Sequence, residues 1–478
     1  MAVAEQALQP PLCVDLDGTL MRSDLLLESL LRLIKRNPLY LFCLPLWLSR
    51  GKAALKSQIA ARVKLDPALL PYNQELLEWL EGERRRGREL WLCTAADARL
   101  ADVVARHLGL FTGVLASHAR LNLAGERKAK ALAARFGRGA FDYCGNEERD
   151  LAVWRLARAA VVVTASRSLA RHVEHHVPVL RTFAIPSRPL RSVLRAVRPH
   201  QWVKNALVLV PLLTAHRLGE PALLARDLLA VVAFCLCASS VYVVNDLLDV
   251  ESDRAYPRKA QRPFASGELS LAAGLAIAPV LLIAAASVSA LLPLKFQAAL
   301  GGYFGLTIAY SLRLKRILVF DAVALAGLYT LRIIAGAGAA GVALSFWLLL
   351  FSVFLFLSLA LVKRYAELDA LRRQQRLRAV GRGYRVEDLA VLQSFGTAAG
   401  YLSVLVLALY INSPDVAALY HHPKAIWMLC VLMLYWISRV WMTAHRGGMH
   451  DDPVVYALRD RVSLGLGVVA AITLLIAA

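Results

Sequence analysis

From about residue 200 onward the chain is a succession of apolar runs, each near the ~20 residues an α-helix needs to cross a bilayer. About nine such runs lie roughly at 203–218, 225–247, 270–292, 295–311, 320–340, 343–363, 389–411, 424–443 and 460–477. A buried all-helical core in water is also apolar, but its outer helices carry polar faces at the helical period. Most of these runs have none. Residues 201–478 are therefore expected to form an all-α polytopic membrane bundle of about nine transmembrane helices.

Charge gives that bundle a direction. Mean hydropathy is +0.50, yet the formal net charge is +21 over 478 residues. A soluble nucleic-acid binder has such charge without the apolar bulk, so no nucleic-acid partner is expected. The loops after the second, fourth, sixth and eighth runs hold Arg254, Arg258, Lys259 and Arg262; then Arg313, Lys315 and Arg316. The later two hold Arg364, Arg372, Arg373, Arg376, Arg378, Arg382 and Arg385; then Arg446 and Arg459. The opposite loops hold little beyond Arg217, Lys295 and Lys424. Basic loops stay in the cytoplasm, which puts the N-terminal part there too. With no secretory signal legible at the start, the expected location is the inner (cytoplasmic) membrane, multi-pass, with a cytoplasmic N-terminal domain. The seven cysteines, Cys13, Cys43, Cys93, Cys144, Cys235, Cys237 and Cys430, are odd in number and scattered, and read as reduced core residues.

Residues 1–185 have a different rhythm. Short apolar runs at Leu12–Leu16, Leu90–Cys93, Phe141–Cys144 and Ala159–Val163 alternate with amphipathic stretches. That pattern predicts an α/β domain, a parallel sheet with helices on both faces. Pro186, Pro189 and Pro199, with Arg188, Arg191, Arg195 and Arg198, mark a basic linker over 186–200.

At the end of the second membrane run the sequence reads Asn245-Asp246-Leu-Leu-Asp249-Val-Glu-Ser-Asp253-Arg254. On a continuous helix Asp246, Asp249 and Asp253 share one face. Three close carboxylates need a cation to offset their repulsion, and oxygen ligands of this kind suit Mg²⁺, which completes its shell with substrate phosphates. A solvated helix end would explain the charges equally simply, but ionisable residues at a membrane-helix terminus are functional by default. The basic loop from Arg254 to Arg262 would hold the phosphates.

These residues carry a resemblance. Asn245-Asp-x-x-Asp-x-x-x-Asp253 with nine helices resembles the UbiA-type intramembrane prenyltransferase superfamily, which implies Mg²⁺ and a diphosphate leaving group on Asp246, Asp249 and Asp253, with Asn245 beside them. Members of that superfamily carry a second aspartate-rich motif after the sixth helix. Here the slot reads Val362-Lys363-Arg364-Tyr365-Ala366-Glu367-Leu368. Arg198-Pro-His-Gln201-Trp202-Val-Lys204-Asn205, Tyr310-Ser311-Leu-Arg-Leu-Lys315-Arg316 and Met449-His-Asp-Asp452-Pro point to one branch. They resemble the decaprenyl-phosphate phosphoribosyltransferase type, which implies transfer of 5-phosphoribose from phosphoribosyl diphosphate to a polyprenyl phosphate. Lys204, Arg254, Lys259, Arg262, Lys363 and Arg364 would then hold phosphates. The alternative is a prenyltransferase with a prenyl diphosphate donor and an aromatic or other small acceptor.

In the N-terminal part, Val14-Asp15-Leu16-Asp17-Gly18-Thr19 ends a strand and sets two carboxylates at the carboxyl edge of a sheet, where α/β sites form. Thr94 closes a second strand, Lys128 follows Asn122-Leu-Ala-Gly125, and Gly145-Asn146-Glu-Glu-Arg-Asp150 closes a third. This set resembles the haloacid dehalogenase-like phosphatases, a Rossmann-like fold with a helical cap, here at 22–88. The resemblance implies Asp15 as nucleophile, Asp17 as general acid/base, Thr94 and Lys128 as phosphoryl ligands, and Asp15 with Asp150 as Mg²⁺ ligands. The family's usual fourth motif has Asp where Asn146 stands, and the domain as a docking or regulatory module is the competing reading.

The apolar segment Pro38–Trp47 is too short to span a bilayer. It is expected in the core of the cap, with a seat on the membrane surface as the other reading. Arg332, with Tyr329, lies deep in an apolar run and needs a partner or a cavity; Asp321 is three turns away on a similar face. His172, His175 and His176 read as a solvated helix face, and His421-His422 as an outward loop.

Overall fold

The computed structural model describes residues 9–119, 121–185, 189–375, 383–413, 416, 420–449 and 452–477. Pro186, Arg188, Arg376, Arg378, Arg382, His450 and Asp451 lie outside the described residues. The chain divides into two compact units, Met1–Val197 with Tyr242–Ala278, and Arg198–Val241 with Pro279–Ala478.

The first unit is built on six parallel strands: β1 (Leu12–Val14), β2 (Leu90–Asp97), β3 (Gly113–Ser117), β4 (Asp142–Gly145), β5 (Ala159–Thr164) and β6 (Val179–Ala184). Their order is β3-β2-β1-β4-β5-β6, the doubly wound arrangement in which ligands bind beyond the carboxyl ends where the order reverses. Strands buried on both faces read as unbroken apolar runs, and that is why these did. Alternation then sorts the side chains. Leu12, Val14, Leu90, Leu92, Val161 and Val163 face one core, packed by Leu76 and Leu80 of α4 (Gln74–Arg85) and Leu100 and Val104 of α5 (Ala98–Leu108). Cys13, Cys93, Ala160 and Val162 face the other, packed by Leu132 of α6 (Glu126–Phe136) and Val173 of α8 (Arg167–Glu174). All seven cysteines are free thiols.

Between β1 and β2 come α1 (Leu25–Arg36), α2 (Leu44–Ser49), α3 (Lys52–Ala60) and α4; α7 (Leu151–Trp154) follows β4. Asp24 caps α1 by accepting from the Leu27 amide at 2.9 Å. Of the apolar segment expected in the cap core, Trp47 is buried, with Leu33 and Ile59. Leu39, Leu41, Phe42, Leu46 and Leu48 are exposed. The expectation fails for them because Tyr40, Cys43, Leu44 and Trp47 fill the packed side of the 3₁₀ turn Pro38–Cys43 and of α2.

The same unit includes the end of the Pro221–Leu248 helix, the short helices Val250–Arg254 and Pro257–Ala260, and the start of the Leu271–Ser289 helix. Leu31 of α1 packs in one cluster with Val243, Leu247, Val250, Phe264, Leu269 and Leu271. Gly267 closes this contact: its φ is +75°, and a Cβ there would come within 2.6 Å of the Arg22 carbonyl oxygen. Within the stretch read as a linker, Pro189–Val197 is a helix, with Ala196 in that cluster and Ser192 and Arg195 donating to Glu268 at 3.2 and 2.7 Å.

Among the described residues six helices are long and apolar enough to cross a membrane: Pro221–Leu248, Leu271–Ser289, Phe320–Ala340, Phe346–Arg373, Val386–Ile411 and Pro423–His445. The protein is an integral, multi-pass membrane protein. The three other runs are helical but do not meet that measure. Residues 203–218 split into a 3₁₀ stretch, Pro199–Leu209, and a short helix, Val210–Thr214, and Pro211 inside this run has no N–H to offer an unbroken helix. Leu294–Leu312 and Arg461–Ala477 are the other two. In the second unit the core is aromatic and aliphatic, with Tyr329, Phe356, Leu361, Tyr365 and Trp441 in one cluster. Gly336 lets the Phe320–Ala340 helix approach another backbone closely, since a Cβ there would overlap the Val208 carbonyl oxygen at 1.8 Å.

Candidate functional sites

The first site lies at the carboxyl ends of β1 and β4. Asp15 follows β1 and is buried, and Lys128 of α6 donates to its carboxylate at 2.9 Å. Lys128 also donates to the Tyr143 hydroxyl at 2.9 Å and lies 3.9 Å from Asp150. Asp150 accepts from the Tyr143 hydroxyl at 2.8 Å and from the amides of Asn146 and Glu147 at 3.0 and 3.1 Å. Burial pushes Asp15 up to about 6, with the Lys128 ammonium opposing and Asp150 adding to the rise. Burial, then the charges of Asp24 and Asp15, push Asp17 up to about 8. Its carboxylate oxygen accepts from the Leu25 amide at 2.8 Å, at the start of α1.

Thr94, buried on β2, accepts from the Ala96 amide at 3.0 Å. Gly18 has φ +72°, and a Cβ there would stand 2.3 Å from the Asn146 side-chain nitrogen. Thr19 fixes that amide by donating to its oxygen at 3.0 Å. The structure thus gathers Asp15, Lys128 and Asp150 around one ammonium, a position in which one cation serves both carboxylates, and a divalent ion fits that donor set. Sequence reasoning missed Tyr143, which bridges Lys128 and Asp150. It also missed Lys56 of α3, which donates to the Ala95 carbonyl at 2.5 Å and to Asn122 at 3.1 Å. Neither stands in a local pattern that distinguishes it from a core tyrosine or a surface lysine.

The acidic segment of the same unit sets Asp246 on one helix and Asp253 on the next, with Asp249 at the junction. The Pro221–Leu248 helix stops one residue before Asp249, which has φ −100° and ψ 7° and precedes the next short helix. Helical bonds still run through the junction, from the Asp249 amide to the Asn245 carbonyl at 2.9 Å and from the Asp253 amide to the Asp249 carbonyl at 2.7 Å, and Lys35 of α1 donates to the Asp249 carboxylate at 2.7 Å. Asp246 and Asp253 stay together. Both are buried and both accept from one guanidinium nitrogen of Arg262, at 3.1 and 2.6 Å. Burial pushes Asp253 above the usual carboxylate range, against the Arg262 charge. Two carboxylates converging on one cationic atom make a pair into which Mg²⁺ fits. Among the described residues no three metal-binding side chains converge, so a metal there would have two carboxylates of this chain and would draw on substrate oxygens for the rest. Asn245 stands next to the pair on the same helix.

The basic residues expected to hold phosphates separate into two kinds. Arg254 is committed to protein, with Glu28 of α1 as a buried bidentate partner at 2.9 and 2.8 Å and the Ala265 carbonyl at 2.8 Å. Lys259 is exposed, its ammonium 5.2 Å from the Tyr256 ring. In the second unit Arg364 is enclosed, donating to Asp321 at 2.5 Å, Glu367 at 2.7 Å and the Tyr310 hydroxyl at 2.8 Å. Lys363 and Lys204 instead meet at Asp452, at 3.0 and 2.9 Å, where the Tyr329 hydroxyl also donates at 3.1 Å. Burial opposes ionisation of Asp452, but Lys363 and Lys204 hold its carboxyl well below the usual range. Arg332 takes Asn205 at 2.9 Å and the Tyr303 hydroxyl at 3.0 Å; the Asp321 proposed for it belongs to Arg364. Sequence reasoning does not assign Asp452 to the site; beside Pro453 it also caps a helix, accepting from the Val454 amide at 3.2 Å.

The model of the UbiA prenyltransferase family matches residues 207–458. The uncharacterised protein y4nM of Sinorhizobium fredii is 36% identical over 464 residues, 96% of this chain and 90% of that protein. The decaprenyl-phosphate phosphoribosyltransferase of Mycolicibacterium smegmatis is 32% identical over 286 residues, 58% of this chain and 89% of its own. Phosphoserine phosphatase in its apo form aligns with a TM-score of 0.27 at 12% identity, over 39% of this chain and 98% of that one.

Proposed function

The chain belongs to the UbiA prenyltransferase family, and we propose that within it this protein transfers 5-phosphoribose from phosphoribosyl diphosphate to a polyprenyl phosphate, with a phosphatase domain fused in front. The observation that carries the donor assignment is the pair of lysines, Lys204 and Lys363, held within 3.0 Å of the single carboxylate of Asp452. Where an ordinary member would add acid, this chain sets two ammonium groups on one carboxylate. Such a cluster keeps an excess positive charge for a phosphate. The similarity to the Mycolicibacterium smegmatis enzyme supports the same reading.

In the reaction a lipid phosphate oxygen attacks the anomeric carbon of the ribose, and the bond from that carbon to the diphosphate breaks. The nucleophile is already an anion, so this chain has no proton to remove. Asp246 and Asp253, with Asn245 and Asp249 near them, would hold Mg²⁺, which when bound neutralises the departing diphosphate. Lys204, Lys363, Arg262 and Lys259 are assigned to phosphate oxygens; Arg254 and Arg364 are assigned to holding their helices. An apolar cavity of about 800 Å³ in the second unit, lined by Trp347, Phe351, Leu355, Leu429 and Met433 among others, suits a polyprenyl tail. The three remaining apolar runs are read as completing a set of nine, with the N-terminal domain on the cytoplasmic side of the inner membrane.

For the fused domain the assignment is Asp15 as nucleophile and Asp17 as the acid that protonates the leaving alcohol. Lys128 and Thr94 would bind the phosphoryl group, and Asp15 with Asp150 would hold Mg²⁺. The substrate proposed is the 5-phosphate of the lipid-linked phosphoribose. The test is incorporation of radiolabelled phosphoribosyl diphosphate into organic-extractable lipid of membranes holding this protein, polyprenyl phosphate and Mg²⁺. Label in the lipid, lost in Asp246→Ala, is the expected result. Transfer from a prenyl diphosphate to a small acceptor instead, with no label in lipid phosphate, would overturn the donor assignment.

A further inference from the structure

The segment Pro38–Ser49 is absorbed by neither activity, and it is the most exposed apolar stretch of the N-terminal domain. Phe42 is 81% exposed and Leu39 66%, and Leu41, Leu46 and Leu48 are each about half exposed. A water-facing domain does not concentrate such side chains without an occupant. Tyr40, Cys43, Leu44 and Trp47 point the other way, onto Leu33 and Ile59, so the outward residues stand on a packed base.

Two further observations name the occupant. Exposed cations flank the patch on both sides, Arg36 before it and Arg50 and Lys52 after it. Apolar residues bordered by Arg and Lys suit an anionic lipid surface, where the chains take the apolar tips and the headgroups take the cations. The patch also follows α1 directly, and α1 is fastened to the end of a helix long enough to cross a membrane. Leu31 packs on Leu247, Lys35 pairs with Asp249, and Glu28 pairs with Arg254.

We propose that residues 38–49 seat the N-terminal domain in the anionic face of the bilayer, so that its phosphoryl site takes phosphate monoesters on lipid anchors in preference to soluble ones. The clause about substrate rests on the phosphatase reading above; the seat itself does not. Because Asp17 accepts from the first amide of α1 and the patch begins two residues after its end, one helix joins the phosphoryl site to the lipid surface.

The test uses the full chain in vesicles of phosphatidylcholine and phosphatidylglycerol. A nitroxide is attached at Phe42→Cys in a Cys43→Ser background, the other six cysteines being buried. An identical label at Arg138→Cys, on an exposed loop, is the control. The seat requires that residue 42 be reached by oxygen and shielded from an aqueous nickel chelate, while residue 138 is reached by the chelate. Free access of the chelate to residue 42 overturns the proposal. Shielding from both reagents, with spin–spin broadening between labels, also overturns it and makes the patch a contact with a second copy.

For the substrate clause, Leu41→Glu with Phe42→Glu is expected to slow hydrolysis of a lipid-anchored phosphate monoester at least about tenfold. Hydrolysis of p-nitrophenyl phosphate should stay unchanged. Equal rates on the lipid substrate in both proteins would overturn that clause. If the unaltered protein hydrolyses neither substrate, the phosphatase reading and the substrate clause built on it both fail, and the depth measurement still decides the seat.

Discussion

Lys363 and Arg364 are neighbours on one helix, yet their surroundings give them opposite tasks. Arg364 is buried and is the charge partner of Asp321, itself without exposure. Removing one member of a buried ion pair strands the other charge and costs about 3–5 kcal/mol. Arg364→Ala is expected to cut the yield of folded protein in membranes, and Arg364→Lys to recover little of it, since an ammonium cannot reach three partners as a planar fork does. Lys363 is partly exposed and shares Asp452 with Lys204. Lys363→Ala is expected to leave the yield unchanged and to raise KM for the phosphoribosyl donor about tenfold, equivalent to roughly 1.4 kcal/mol. Steady-state kinetics beside size-exclusion profiles of both variants separate the roles. Arg262 allows a test of the metal pair that needs no turnover. Arg262→Ala leaves Asp246 and Asp253 without their shared cation, so its melting temperature should fall in chelator and climb with added MgCl₂. At about a hundredfold excess over Kd the recovery is about 2.7 kcal/mol. Adding Asp246→Asn should abolish it, and a melting temperature indifferent to Mg²⁺ would show that the pair does not bind the ion.

At the scale of elements, α1 is the piece on which most depends. It starts at the residue whose amide binds Asp17, and its outer face carries Glu28, Arg32 and Lys35 to Arg254, Glu251 and Asp249. Gly267→Ala would force a Cβ into the Arg22 carbonyl at a backbone angle only glycine adopts freely. The expected loss is about 1–2 kcal/mol, with faster amide exchange in both 25–36 and 250–269; exchange confined to one of the two would mean that they are not fastened together there. None of this was legible beforehand. The sheet was legible because strands buried on both faces leave unbroken apolar runs, and Asp15 and Asp150 stood out because short motifs close such strands. Of the nine expected membrane helices, six meet the measure of length and apolarity among the described residues. What escaped depended on contacts across many residues. Lys35 found Asp249 214 positions later in the sequence, and Arg364 found Asp321 43 positions earlier. The tip of the cap, expected inside, lies outside because periodicity cannot say which side of a short apolar segment meets the protein.

For the molecule as a whole, the question is whether one chain carries two consecutive steps. The proposed first step leaves a phosphate monoester on C5 of a lipid-linked ribose; the proposed second removes a phosphate monoester. In the proposed second step the Asp15 carboxylate would attack phosphorus, the bond from phosphorus to the C5 oxygen would break, and that oxygen would take the Asp17 proton. Water then cleaves the aspartyl phosphate and releases inorganic phosphate. Asp15→Asn removes the nucleophile while keeping a side chain of the same shape beside Lys128. It should therefore leave the rate of label entering lipid unchanged while altering what is made. The unaltered protein is expected to accumulate lipid-linked ribose with release of one inorganic phosphate per turnover, and Asp15→Asn to stop at lipid-linked phosphoribose with none. Mass spectrometry of the extracted lipid distinguishes the two products by one phosphate. If both proteins stop at the phosphorylated lipid, the fused domain serves another phosphate. If the variant also fails to label lipid, the two proposed activities depend on each other for folding or for a shared conformation, and the fusion is mechanical before it is metabolic.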